Sequence, residues 1–185
     1  MSGGARLFVA VTLPLGAREE IAGWARGAVG ARDDLRLVPA DSLHVTLAFL
    51  GDRGPAEREA AVAVVDTAEV RSVPIALGAP LWLAPRRPHV LTLGLEDPAG
   101  ALAALQRNLV AELTARVGFA PERRAFLPHV TVARVRRGAR VRAESLEGPE
   151  PLRFSAEALV LFRSHLGPTG AGYEALTEVE LGSPG

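Results

Sequence analysis

The chain has 185 residues, a formal net charge of zero, 48% apolar residues and no cysteine. This composition excludes disordered and collagen-like chains, and the length suits one domain with a complete hydrophobic core. Without cysteine there is no thiol nucleophile, no disulfide and no cysteine-bound metal. All 21 basic residues are arginine, which also excludes lysine nucleophiles and phosphate-loop lysines.

The predicted elements begin with residues 7–13, an apolar run that fits a buried first strand better than a secretory segment because Pro14 ends it early. Apolar residues recur every three or four positions over 102–117 and Gly118 follows them, which indicates an amphipathic helix and its end. In chain order, strands are predicted over residues 7–13, 35–38, 43–50, 73–83, 89–95, 129–135, 154–162 and 173–181, and helices over 16–29, 54–70 and 97–118. Eight strands and three helices without strict alternation indicate an α+β protein.

Two further local features complete this outline. Residues 167–172 are rich in glycine and predict a flexible turn. Trp24 and Trp82 lie in apolar periodic segments, so we expect both in the core.

Charge is distributed unevenly along the chain. Seven arginines and no acidic residue lie between Arg123 and Arg142. Such a cluster suits an anionic ligand met at one place, whereas the neutral net charge argues against a protein that coats long nucleic acid. A solvated basic hairpin explains the segment equally well.

The strongest signal is an internal repeat. Residues 43–49, Leu-His-Val-Thr-Leu-Ala-Phe, align without a gap with residues 128–134, Pro-His-Val-Thr-Val-Ala-Arg. Each copy opens a predicted strand. The other two histidines, His89 and His165, have no threonine two residues later and serve as an internal comparison.

The repeat places an imidazole and a hydroxyl side by side. Residues two apart on a strand share a face, so His44 lies beside Thr46 and His129 beside Thr131. One such pair is more often structural than functional. Two opposed pairs form a general acid and a general base, with hydroxyls that donate to a phosphate between them. In-line displacement at phosphorus by water requires that arrangement.

At residues 6–10, 42–51, 128–135 and 172–174 the sequence resembles the 2H phosphoesterase superfamily. Within it, the chain is most similar to the RNA 2′,3′-cyclic phosphodiesterases, historically called 2′-5′ RNA ligases. The resemblance implies a bilobal α+β fold, with one helix-flanked antiparallel sheet in each of two pseudo-symmetric lobes and the active-site cleft between them. It implies a single domain, residues 1–185, built from two intertwined lobes that each contribute one motif. The implied reaction converts a terminal 2′,3′-cyclic phosphate on RNA to a 2′-phosphate.

The resemblance also implies a role for each site residue. The proton donor to the leaving 3′ oxygen is His44, the proton acceptor from water is His129, and the groups that hold phosphate are Thr46, Thr131 and Arg134. Strict alternation places Arg134 on the opposite face from His129, so its role requires a bulge, a strong twist or a strand end. Phe49 has the same parity, and either a core position or base stacking by Phe49 or Phe126 fits the sequence.

No cofactor and no metal are expected, since neither His-x-His nor His-Glu-x-x-His occurs. The expected partners are RNA ends or nucleoside 2′,3′-cyclic phosphates, and the expected state is a cytoplasmic monomer without membrane contact. Two alternatives remain open: a noncatalytic RNA-end binding module, and a 2H phosphodiesterase acting on a small cyclic phosphate. The intact motifs favour an enzyme because a binding module needs no proton-transfer groups. Reverse ligation to a 2′-5′ linkage also stays open.

Overall fold

The computed structural model describes residues 5–167 and 170–182, with only the backbone described for residues 166–167 and 170–171. Within these ranges, the helices are α1 (Leu15–Val29), α2 (Pro55–Asp66) and α3 (Ala101–Val117), and Ala40–Ser42 form a 3₁₀ turn. The strands are β1 (Ala5–Thr12), β2 (Leu35–Leu37), β3 (His44–Arg53), β4 (Pro74–Leu83), β5 (Val90–Glu96), β6 (His129–Val135), β7 (Arg153–Ser155), β8 (Ala158–Gly167) and β9 (Gly170–Glu180). The predicted α+β composition is confirmed.

The strands form two antiparallel sheets, one in each lobe. The first sheet has the order β3-β1-β8-β9 and the second has the order β2-β6-β5-β4-β7. The two copies of the repeat therefore open strands of different sheets, β3 and β6. Because β3 and β6 contact each other, both copies lie where the two sheets meet. This is the predicted bilobal arrangement.

Apolar faces of the strands and helices form the core that fixes these two strands. Leu7, Val9 and Val11 of β1 are fully buried, and each such side chain stabilises the fold by about 1.5–3 kcal/mol. The predicted apolar stripe of α3 is confirmed, since its buried residues are Leu102, Leu105, Leu109, Leu113 and Val117. Gly118 ends α3 with φ of 67°, a left-handed conformation that glycine adopts without a steric penalty. Helix α3 contacts β3, and α1 contacts β6.

The single strand predicted over residues 154–162 is wrong. The chain crosses from one sheet to the other there, so that β7 pairs with β4 and β8 pairs with β1. The crossing is fixed at both sides: the Ala156 amide donates to the Val73 carbonyl (3.0 Å) and the Glu157 amide donates to the Thr12 carbonyl (3.0 Å). The apolar pattern alone did not reveal the crossing because both halves of the run are buried in part.

Three smaller differences concern element ends and the tryptophans. Helix α2 ends at Asp66 rather than near residue 70, since the Ala68 amide turns to the Val65 carbonyl, three residues earlier. A turn was predicted at residues 167–172. Residue 167 and residues 170–172 belong to strands, and residues 168–169 lie outside the described residues. Trp24 and Trp82 pack against the core but are only partly buried.

The two indoles also anchor the long segment 136–152. The Trp24 Nε1 atom donates to the Glu147 carbonyl (3.1 Å), and the Trp82 Nε1 atom donates to the Glu144 carbonyl (3.0 Å). In the described part of the chain, no helix is long and apolar enough to cross a membrane.

Candidate active site

Both motif histidines are held in the same orientation by the chain just before them. The Nδ1 atom of His44 lies 2.7 Å from the Ser42 carbonyl, and Nδ1 of His129 lies 2.7 Å from the Leu127 carbonyl. A carbonyl only accepts, so in each ring Nδ1 carries a hydrogen and donates it. This leaves Nε2 of each imidazole as the atom that can gain or lose a proton during a reaction.

The threonines lie beside the histidines, as the strand period predicts. His44 and Thr46 are partly exposed while Val45 between them is fully buried. The same alternation is found in β6, where His129 and Thr131 flank a buried valine. Each strand therefore presents one imidazole and one hydroxyl on its exposed face.

A bulge in β6 brings Arg134 to the same face. Pairing of β6 with β5 skips Val132, which is one extra residue in the strand. Val132 and the next residue, Ala133, are both buried, so the alternation shifts by one position. As a result, Arg134 is exposed on the face that carries His129 and Thr131. The bulge that the sequence analysis required is present.

The first copy of the repeat has the equivalent bulge. Pairing of β3 with β1 skips Leu47, and Leu47 and Ala48 are both buried. Phe49 is therefore turned to the face of His44 and is 59% exposed. Of the two positions considered for Phe49, the core position is wrong.

Both bulges are supported by hydrogen bonds to the extra residue. The Val132 carbonyl accepts from the Val38 amide (2.9 Å), and the Leu47 carbonyl accepts from the Gln106 side chain of α3 (3.4 Å). Both bulges are thus held in shape by neighbouring parts of the chain, which limits the freedom of the side chains that follow each bulge.

The two motifs lie close enough to interact. A cavity of about 250 Å³ has both Thr46 and His129 in its wall. The charges of Arg134 and His129 act on His44 and contribute to lowering its pKa. The structure therefore brings together residues that are about 85 positions apart in the sequence.

Burial lowers the pKa of His44 from 6.5 to about 4, with Arg134 and then His129 as smaller contributors, while the hydrogen bond to the Ser42 carbonyl opposes the change. An aromatic wall causes the burial. The ring of His44 lies 5.1 Å from Phe8 and 5.3 Å from Tyr173, the latter at 89°. In the free protein at neutral pH, His44 is therefore uncharged.

No motif in the sequence marks this aromatic wall. Phe8 and Tyr173 belong to the segments that carry the family resemblance, but Phe162 of β8 was not singled out. Its ring stacks on Phe8 at 5.1 Å. The pairing of β1 with β3 and β8, and of β8 with β9, brings these rings to His44, and no local pattern encodes that pairing.

The cavity extends from the motifs toward α3 and the segment that follows it. Phe49 and Phe126 both lie in its wall, together with Gln106 and Arg124. Two aromatic rings and two polar side chains around a space of this size suit a flat, polar-edged group. Among the described residues, no group of three or more His, Asp or Glu side chains is placed to hold a metal ion.

Comparison with known proteins agrees with the family that the two motifs indicate. The family model of the 2′-5′ RNA ligase superfamily matches residues 14–168. The chain belongs to this superfamily. The resemblance stated from the two motifs is thereby confirmed.

Relatives within the superfamily match most of the chain. An RNA 2′,3′-cyclic phosphodiesterase of Escherichia coli K12 is 37% identical over 137 residues, which cover 72% of this chain and 74% of that protein. One of Methanothermobacter thermautotrophicus is 32% identical over 185 residues, covering 95% of this chain and 97% of that protein. The crystal structure of E. coli LigT complexed with 3′-AMP is 28% identical, with a TM-score of 0.82, and covers 96% of this chain and 98% of that one.

Proposed function

We propose that this superfamily member is an RNA 2′,3′-cyclic phosphodiesterase that hydrolyses the terminal cyclic phosphate to a 2′-phosphate without a metal. The observation that carries the proposal is the paired orientation of His44 and His129, each with Nδ1 bound to a carbonyl and Nε2 left for the substrate. The names of the E. coli and Methanothermobacter relatives support the same reaction. The 3′-AMP in the LigT complex supports a nucleotide as ligand.

In the proposed reaction, water attacks phosphorus and the bond from phosphorus to the 3′ oxygen breaks. Nε2 of His129 takes a proton from the water, and Nε2 of His44 gives a proton to the leaving 3′ oxygen. The products are a 2′-phosphate monoester and a free 3′ hydroxyl. His44 is then neutral and His129 protonated, and exchange with solvent restores the starting forms.

Three side chains of the same two strand faces hold the phosphate in this proposal. The hydroxyls of Thr46 and Thr131 donate to its non-bridging oxygens, and the Arg134 guanidinium neutralises charge that develops as water attacks. Arg134 and Phe49 occupy equivalent places after the two bulges, so the two halves of the site differ in charge. That asymmetry supports different roles for the two histidines.

Substrate binding must also favour protonation of His44 by solvent, because His44 can give a proton to the leaving oxygen only in its charged form. With a pKa of about 4, His44 is a poor proton carrier at neutral pH in the free protein. A phosphate monoanion placed beside its ring favours the protonated form and raises the pKa. The cyclic phosphate thus helps to charge the acid that cleaves it.

The test is hydrolysis of adenosine 2′,3′-cyclic phosphate in the presence of EDTA, with the product identified by ³¹P NMR. We expect adenosine 2′-phosphate, and a loss of rate of roughly 10² to 10⁴ in H44Q and in H129Q. H89Q is the matched control, since His89 is exposed and outside the site. Absence of turnover between pH 5 and 8 would favour a binding module. A 3′-phosphate product would contradict the assignment of the leaving oxygen.

A further inference from the structure

Tyr173 reaches His44 from the far side of its sheet. In the four-stranded sheet, His44 opens the edge strand β3, while Tyr173 lies in β9, the opposite edge strand. Neighbouring strands are about 4.8 Å apart, so three spacings put these two backbones roughly 14 Å apart in a flat sheet. The two rings nevertheless lie only 5.3 Å apart, centroid to centroid, at 89° to each other. Both side chains therefore lean over the two strands between them.

The strand register brings Tyr173 to this place. Tyr173 pairs with Ser164 of β8, and Phe162, two residues before Ser164, pairs with Phe8 of β1. Directly opposite residues share a face of the sheet, as do residues two apart. Tyr173, Phe162 and Phe8 therefore lie on one face, and their ring centroids are 5.1 to 6.2 Å apart. Tyr173 is the member of the aromatic wall that comes from the sheet edge, and it is partly buried there.

The aromatic wall contacts His44 on sides that its hydrogen bond does not fix. The bond from Nδ1 to the Ser42 carbonyl holds one ring atom at 2.7 Å, and a single bond leaves the ring free to pivot about it. Phe8 lies against the imidazole at 5.1 Å and 33°, whereas Tyr173 meets it at 89°. Two contacts in different planes restrict that pivot. Nε2 of His44 is thereby held in one direction.

His129 provides an internal comparison. It makes the same bond, from Nδ1 to the Leu127 carbonyl, also at 2.7 Å. Its partner across the strand pair is Gly94, which has no side chain to pack against the imidazole. Within the described part of the chain, the aromatic ring contacts involve His44 and not His129. The aromatic wall therefore acts on one of the two histidines alone.

We propose that Tyr173 is a positioning residue of the proposed reaction, whose ring fixes the imidazole of His44 so that Nε2 faces the phosphate. The role belongs to the ring, because the contact with His44 is a ring contact. The Tyr173 hydroxyl is not required for it. This inference rests on the proposed function and deepens it, since it adds a residue that serves the proposed acid and not the proposed base.

The experiment compares Y173F, which keeps the ring, with Y173L, which keeps an apolar side chain without a ring. On adenosine 2′,3′-cyclic phosphate we expect wild-type kcat for Y173F. For Y173L we expect kcat to fall roughly 10- to 100-fold with KM nearly unchanged, because a small misplacement of a catalytic group costs this much. The matched control is F154L, since Phe154 of β7 is partly buried in the other sheet and should not affect kcat. Y173M replaces Y173L if that variant does not fold.

A second readout needs no turnover. NMR titration of the imidazoles should show that the pKa of His44 rises from about 4 toward 6.5 in Y173L, because water then reaches the ring. The pKa of His44 should stay at its wild-type value in Y173F and F154L, and the charges of Arg134 and His129 that act on His44 are the same in all variants.

The two readouts separate the two proposals. If no cyclic phosphate is hydrolysed but the pKa of His44 rises in Y173L and not in Y173F, the proposed function fails and the fixing of His44 by Tyr173 stands. Equal losses of kcat in Y173F and Y173L would overturn the inference, because the hydroxyl would then carry the effect. Wild-type kcat and an unchanged pKa of His44 in Y173L would also overturn it.

Discussion

The charge of Arg134 reaches His44, although the two residues lie 90 positions apart on strands of different sheets. The bulge at Val132 makes this electrostatic interaction between the two lobes possible, because it turns Arg134 onto the face of β6 that carries His129. One extra residue thereby adds a positive charge to the strand face that carries His129 and Thr131.

Replacing Arg134 by glutamine tests this relationship in two ways. We expect R134Q to lower kcat/KM for a cyclic nucleotide by about 10- to 100-fold, the size of a lost charged hydrogen bond. We also expect the pKa of His44 to rise, because a neighbouring positive charge is removed. The pKa is followed by NMR of the His44 ring. An unchanged pKa of His44 in R134Q would show that the Arg134 guanidinium lies away from His44 in solution. The control for a general change of charge is R153Q, because Arg153 is an exposed residue of the edge strand β7.

Binding of an anion should raise the pKa of His44. Adenosine 2′-phosphate at saturation is expected to raise it by about 1 to 3 pH units, as an opposite charge a few ångström away does. NMR titration of the ring with and without the nucleotide measures the change, and calorimetry in buffers of different ionisation enthalpy measures the proton taken up. Proton release on binding would contradict the proposed acid.

Stability should depend on pH through the same residue. The pKa of His44 is about 4 in the folded protein and near 6.5 when exposed, so between these values the unfolded chain binds a proton that the folded chain does not. Stability therefore rises with pH across this window and is lost as pH falls through it. The contribution is about 3 kcal/mol. Urea unfolding from pH 7 to pH 4 should show a smaller loss in H44Q than in wild type, and equal losses would contradict the buried state of the ring.

Phe49 is expected to contact the nucleoside rather than the phosphate. F49A should raise KM for cyclic nucleotides by an amount equivalent to about 1–3 kcal/mol, the usual value of base stacking on an aromatic ring. The affinity of F49A for inorganic phosphate, measured by competition with the cyclic nucleotide, should stay at the wild-type value. A parallel loss of phosphate affinity would instead indicate that the bulge itself has been disturbed.

Local patterns predicted a large part of this molecule. The period of α3, its end at Gly118 and the paired faces of His44 with Thr46 follow from neighbouring residues alone, and the structure has each of them. The crossing at Ala156 and the aromatic wall around His44 depend on which strands pair across the chain. No local signal carries that information.

The two bulges could be predicted only in part from the sequence. Each copy of the repeat has two consecutive buried residues after its threonine, and this break in alternation is visible in the sequence as Leu47-Ala48 and Val132-Ala133. Its consequence for Arg134 became clear only from the strand register. A hydrophobic pair at the same place in two copies of a motif is therefore a usable sign of a bulge.

The most direct test of the central claim is a crystal structure with adenosine 2′-phosphate bound. We expect one phosphate with Nε2 of both His44 and His129 within hydrogen-bond distance of its oxygens, and with the hydroxyls of Thr46 and Thr131 donating to it. A phosphate held by one motif alone, or located outside the junction of β3 and β6, would contradict the account.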